Sequence, residues 1–265
     1  MSSQPSATPQ RRHAISPSQT ACVGRPTLEA LAYACRAYGQ TTSYDISYRQ
    51  HLAKTGGQVD LTNSAHRAAV LVWLNRWGCR QFKVVDHPLA SSEMQAWYTE
   101  CQHLLPEVGK ALVDCSVAEV WHIGQAYALL RERQACTRKR DGFPEAVRFG
   151  PTGASKVLFA VRPQAAIPWD KPERDALRFD DSDRGYIAYL RHTQGILRAL
   201  SPACRRYGIR LADLPDVLGR DEATPAKLVD EYYWATVTRK VAIPDEAMLR
   251  RCFTNLVQKR QQARN

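Results

Sequence analysis

At 265 residues, with 44% hydrophobic and 24% charged residues, the chain is long enough to bury a substantial core and too apolar for a disordered polypeptide. Its 37 Lys and Arg against 26 Asp and Glu leave a formal charge of +11, which favours a polyanionic partner, nucleic acid first. No apolar run approaches a membrane span, the N-terminus lacks the apolar stretch of a secretory signal, and the eight cysteines form no CxxC or Cys/His cluster, so a cytoplasmic protein with small buried thiols and no metal or cofactor is expected.

Residues 1–22, rich in Ser, Pro, Gln and Thr and carrying Arg11 and Arg12, read as a flexible tail. The rest, 23–265, reads as one helical domain, or two helical subdomains with a cleft near 141–175. Pro26 and Thr27 introduce a helix with Leu28, Leu31, Ala32 and Cys35 on one face and Gly39 as its C-terminal cap. A second helix is predicted over 64–77, with Val70, Leu71, Leu74 and Trp77 together and Gly78 ending it. A third is announced by Ser91 and Ser92 ahead of Met94, Trp97, Cys101 and Leu104. Between the second and third, Phe82-Lys83-Val84-Val85 has strand character without the repeated alternation of a sheet.

Ser116 and Glu119 have the spacing of a capping box, and the helix they open carries Val120, Trp121, Gly124, Tyr127 and Leu130. Trp73, Trp77 and Trp121 all lie on apolar faces, where packing is their expected role. Trp121 is also a candidate lining residue for a pocket. Arg131, Arg133, Arg138, Lys139 and Arg140 then form the densest basic run, read either as a DNA-backbone contact or as a solvated helix end and loop.

The most informative stretch follows: Phe149-Gly150-Pro151-Thr152-Gly153-Ala154-Ser155-Lys156, an apolar run to Val161, then Arg162-Pro163-Gln164-Ala165-Ala166-Ile167-Pro168-Trp169-Asp170. A glycine turn opening a helix exposes backbone amides that bind an anion such as a phosphate, with Ser155 and Lys156 placed to strengthen the contact. Asp170, before Lys171-Pro172-Glu173, has two readings: a catalytic carboxylate or a helix N-cap.

This arrangement resembles the helix-hairpin-helix DNA glycosylase superfamily, in which a glycine-containing hairpin, an apolar helix and a Pro-x-Asp follow one another and the aspartate is catalytic. The resemblance implies a DNA glycosylase with Asp170 as its carboxylate. Gly150, Thr152, Gly153, Ser155, Lys156, Arg138, Lys139, Arg140 and Arg174 would bind DNA, and Trp121 and Trp169 would line a base pocket. Such a carboxylate stabilises positive charge on the sugar as the N-glycosidic bond breaks, and its target base is rotated out of the duplex. Family members with lyase activity place a Schiff-base lysine two residues beyond the second hairpin glycine. From Gly153 that position is Ser155, with Lys156 one residue late, so a monofunctional enzyme is expected, Lys156 remaining a secondary catalytic candidate. The remainder of the chain does not match the housekeeping repair members, which implies a divergent branch. The bacterial anti-phage glycosylases that remove glucosylated hydroxymethylcytosine from viral DNA are one such branch. The alternatives are a noncatalytic helix-hairpin-helix DNA-binding module and a metal-dependent nuclease.

Beyond Asp170, helices are predicted over 186–207, from Thr224-Pro225 to about Val237, and from near Asp245. Residues 237–243 have some extended character. His51, His66, His87, His103, His122 and His192 lack metal-ligand spacing, and Asp180-Asp181-Ser182-Asp183 reads as a solvated acidic turn. The fold class expected is therefore mainly α, with little or no sheet.

Overall fold

A computed structural model describes residues 24–264; the predicted tail, with Arg11, Arg12 and Cys22, lies outside the described residues. Eleven α-helices and one two-stranded sheet make a mainly α fold. In chain order the helices are α1 (Leu28–Thr41), α2 (Tyr44–Thr55), α3 (Ser64–Arg76), α4 (His87–Cys101) and α5 (Val117–Glu132). The strands β1 (Gln134–Arg140) and β2 (Phe143–Arg148) come next. They are followed by α6 (Gly150–Val161), α7 (Lys171–Leu177), α8 (Asp183–Arg206), α9 (Leu214–Val217), α10 (Pro225–Tyr233) and α11 (Glu246–Arg264).

Helix starts follow from local chemistry. Thr27 accepts from the Ala30 amide at 3.2 Å, Ser116 and Glu119 form the predicted capping box, Ser182 caps α8 and Thr224 caps α10. Proline occupies the first turn of α4, α6, α7, α9 and α10, where its missing N–H breaks no hydrogen bond. The acidic turn before α8 belongs to this cap: Asp180 accepts the Ser182 amide at 2.9 Å, and a side chain at Gly185 would meet the Asp180 carbonyl.

Several expected boundaries move. Gly39 lies inside α1, facing Arg220, and does not cap it. Helix α4 begins at His87, ahead of Ser91 and Ser92. Residues 82–85 lead into a 3-10 turn (Val84–Asp86): they pair with neither described strand, and Val84 and Val85 project into solvent. After α10 the chain makes a π-helical turn (Trp234–Thr238), so 237–243 forms no strand.

The basic run is a helix end followed by a strand, in place of the expected loop. Residues 134–140 pair antiparallel with 143–148 around Asp141-Gly142, both with positive φ, as the tight hairpin turn matched to strand twist requires. The run's Arg131 and Arg133 sit at the end of α5 in ion pairs, Arg133 with Glu93 at 3.2 Å and Arg131 with Glu132 at 2.9 Å.

One continuous set of buried apolar side chains runs from Leu28 to Val257. Helices α5 and α8 approach so closely that a Cβ at Gly124 would collide with the Ile187 side chain, and α5 packs also on α6. Between α5 and α8, Tyr127 stacks on Tyr186 at 4.4 Å, and Trp169 stacks on Tyr189 at 5.5 Å with the rings nearly parallel. Each such large buried side chain contributes roughly 1.5–3 kcal/mol of transfer free energy, so the core grips the segment leading to Asp170. Among the described residues, no helix is long and apolar enough to cross a membrane.

Candidate functional site

Segment 165–170 is irregular, and its backbone is held by side chains from three helices. The Tyr186 hydroxyl donates to the Ile167 carbonyl at 2.9 Å. The Trp169 amide donates to Ser155 Oγ at 3.0 Å, and the Trp169 carbonyl accepts from Thr152 Oγ1 at 3.2 Å and Arg174 Nη1 at 2.9 Å. Buried backbone polar groups demand such partners. Here they also fix the position of the next residue, Asp170.

Asp170 occupies the N-cap position of α7 with extended backbone, yet its side chain makes no capping bond. Part of the reason lies in the next residues. An N-cap carboxylate takes the amide of the second or third helical residue; the second, Pro172, has no N–H, which leaves only the Glu173 amide. The carboxylate turns instead to Lys156, whose Nζ lies 3.0 Å from Oδ1 and 3.3 Å from Oδ2. Lys156 is almost completely buried, at 4% exposure, while the Asp170 side chain remains 35% exposed. The ammonium also donates to the Trp77 carbonyl at 2.8 Å and lies 5.8 Å above the Trp77 ring. Burial, the largest effect, lowers the Lys156 pKa, but the Asp170 carboxylate, with smaller contributions from Cys79 and Asp230, holds the group above its ordinary value.

Behind this pair is a cluster of buried ionisable groups that no motif in the chain announces. Lys227 donates to Asp230 at 2.5 Å and stands 4.8 Å over Tyr38 and 5.4 Å over Trp77. Arg220 bridges Asp45 and Glu231, reaching Glu231 with two bonds of 3.0 and 2.8 Å. Glu173, in the first turn of α7, is buried without a cationic partner, and Thr238 Oγ1 donates to it at 3.1 Å. Burial, reinforced by the negative charges of Asp230 and Asp170, pushes the Glu173 carboxyl up to about 8, so it holds its proton at neutral pH. The spacing Lys227-x-x-Asp230-Glu231 is visible in the chain, but the same spacing marks solvated surface pairs.

The expected site residues divide into two groups. Asp170, Lys156, Ser155, Thr152 and Arg174 come together, but Ser155, Lys156 and Arg174 are buried. Ser155 and Arg174 brace the Trp169 backbone, Arg174 lying also 5.2 Å over the Trp169 ring, and Lys156 holds the Asp170 carboxylate. All three turn their polar groups to partners within the protein. Gly150 opens α6 with positive φ, and Gly153 lies within its first turn, where a Cβ would press on Gln81 and Phe82. The element before α6 is a strand. Trp169 is fully buried in the aromatic stack, whereas Trp121 is half exposed on α5, off the core face expected for it. Arg138, Lys139 and Arg140 lie apart from Asp170 in sequence, exposed on the hairpin.

Cavities of about 290, 270 and 210 Å³ are lined by other residues, and none includes Asp170. No group of three or more His, Cys, Asp or Glu among the described residues is placed to hold a metal ion. No family model, curated protein or solved structure matches this chain.

Proposed function

We propose that this protein is a monofunctional DNA glycosylase of a divergent helix-hairpin-helix type, in which Asp170 stabilises the cationic sugar of a nucleotide rotated out of DNA. The observation that carries the reading is the Asp170 carboxylate itself. It stands where a helix cap would stand, makes no cap, is one-third exposed, and is held by a buried lysine.

The chemistry asks for a fixed anion beside the bond that breaks. As the base departs, C1′ and the ring oxygen share a positive charge, and a carboxylate already oriented there needs no reorganisation to meet it. Ser155, Thr152 and Arg174 set the main chain ahead of Asp170, and Lys156 sets the carboxylate. The same carboxylate accepts a hydrogen bond from the attacking water and orients it. Lys156 is suited to positioning and poorly suited to nucleophilic attack, since its amine is buried and held protonated. The net charge of +11 supplies affinity for the DNA backbone.

The test is incubation with DNAs carrying different damaged or modified bases, glucosylated hydroxymethylcytosine among them, with mass detection of what is released. Free base from intact strands is the expected outcome. Cut phosphodiesters with every base retained would identify a nuclease, and binding without release of any base would identify a noncatalytic DNA-binding module.

A further inference from the structure

The hairpin is rooted firmly, and no other described residue covers its outer part. At its root Ala135 and Cys136 are buried, the Phe149 amide donates to the Arg133 carbonyl at 2.9 Å, and Gln81 Nε2 donates to the Phe149 carbonyl at 2.9 Å. The Phe149 ring packs 4.9 Å from Phe82. From Thr137 to Ala146, by contrast, every residue is exposed. At a rise of about 3.3 Å per residue, this free part reaches roughly 13 Å beyond its anchored base.

Its tip is not an ordinary solvated turn. Phe143 is 76% exposed, the residue beside it in the ladder is Arg140, and Arg138 faces Glu145. Directly paired residues share a face of the sheet, as do residues two apart along a strand. Arg138, Arg140 and Phe143 therefore project on one side. The Arg140–Glu145 contact of 3.7 Å agrees with that placement. Arg138 and Lys139 have no ion-pair partner among the described residues. Lys83, Val84 and Val85 add one more cation and two exposed apolar side chains in the turn beside β1.

We infer that the β1–β2 hairpin is a DNA-contacting ribbon, in which Phe143 stacks on a base while Arg138 and Arg140, on the same face, meet backbone phosphates. The inference rests on the reading of DNA as the partner. A two-stranded ribbon is narrow enough to enter a groove of the duplex. An aromatic side chain at its tip stacks on any base or wedges between steps, and cations two residues away along one strand fix its register on the backbone. The arrangement separates tasks: the ribbon contributes affinity, and the buried residues around Asp170 contribute none directly.

The experiment is a titration of the full chain with a fluorescent DNA duplex carrying one central mismatch, at several salt concentrations, alongside vesicles of phosphatidylserine and phosphatidylcholine. Phe143→Ala is expected to weaken DNA binding about tenfold, and Phe143→Tyr to restore most of it. The double substitution Arg138→Gln with Arg140→Gln is expected to lower the slope of log affinity against log salt by about two. All these positions are exposed, so unchanged thermal midpoints check that the variants fold. Wild-type binding with all variants equal to it in affinity and salt slope overturns the ribbon and leaves the DNA reading standing. A wild-type chain that binds no DNA overturns both, and one that binds only the anionic vesicles reassigns the ribbon to a membrane surface.

Discussion

Lys156 and Asp170, 14 residues apart, form a half-buried ion pair in which the cation is enclosed by protein and the anion faces solvent. The asymmetry gives the two groups different work. Enclosure keeps Lys156 fixed and charged, and that fixed charge aims a carboxylate which still has a surface to offer.

Lys156→Met removes the cation and leaves the Trp77 carbonyl without its donor. Stability should fall by about 1–3 kcal/mol, the usual penalty for a buried polar group left unsatisfied. Base release should fall roughly 100-fold as Asp170 loses its orientation. Urea denaturation and single-turnover kinetics measure the two effects separately, and unchanged turnover would remove Lys156 from the site.

Borohydride should trap no covalent complex between the protein and DNA. A Schiff base needs a neutral amine that reaches the sugar, whereas the Lys156 amine is buried and, against the lowering effect of that burial, its pKa is raised by Asp170 with Cys79 and Asp230. A trapped adduct that maps to Lys156 would contradict the monofunctional assignment.

Stability should decline between about pH 4.5 and 8. The folded chain keeps the Glu173 proton up to about pH 8, while the unfolded chain releases it near the ordinary value of 4.5. Folding therefore takes up a proton across that window. The contribution is fully present below it and lost as pH rises through it. Glu173→Gln preserves the shape and removes the titration, so its stability should lose this slope. Thermal midpoints of both proteins from pH 4.5 to 8.5 test this, and parallel curves would mean that Glu173 ionises normally.

Arg220→Ala should be far more damaging than a surface arginine replacement. It leaves Asp45 without its cation and leaves the fully enclosed Glu231 with only Lys227, 3.7 Å away. Breaking a buried pair on one side costs about 3–5 kcal/mol. Chemical denaturation should show that loss, and a change below about 0.5 kcal/mol, the usual limit for surface substitutions, would mean that the bridge does not hold α2 to α10.

Much of this fold is legible in the chain where local chemistry decides. Ser116 with Glu119 and Thr224 with Pro225 announce their helices because caps act within one turn. Helix α2 is harder to read: its buried face is Ser47, Tyr48, His51 and Thr55, which has no plain apolar stripe. The hairpin carried its own signal in Asp141-Gly142, a pair suited to two consecutive positive φ angles, but seven residues of Gln134 to Arg140 lack the alternation of a strand. Asp170 stood out through its setting. Its bond to Lys156 and the buried carboxyl groups of Glu173, Asp230 and Glu231 did not, because ionisable residues are solvated by default and only tertiary packing encloses them.

The most direct test compares wild type with Asp170→Asn on whichever modified DNA releases base fastest, following free base by mass under single-turnover conditions. Asn keeps the size of the side chain and removes its charge, so base release should fall by a factor on the order of 100 or more, while DNA binding persists and the strands stay intact. Release at the wild-type rate by Asp170→Asn would contradict the account at its centre.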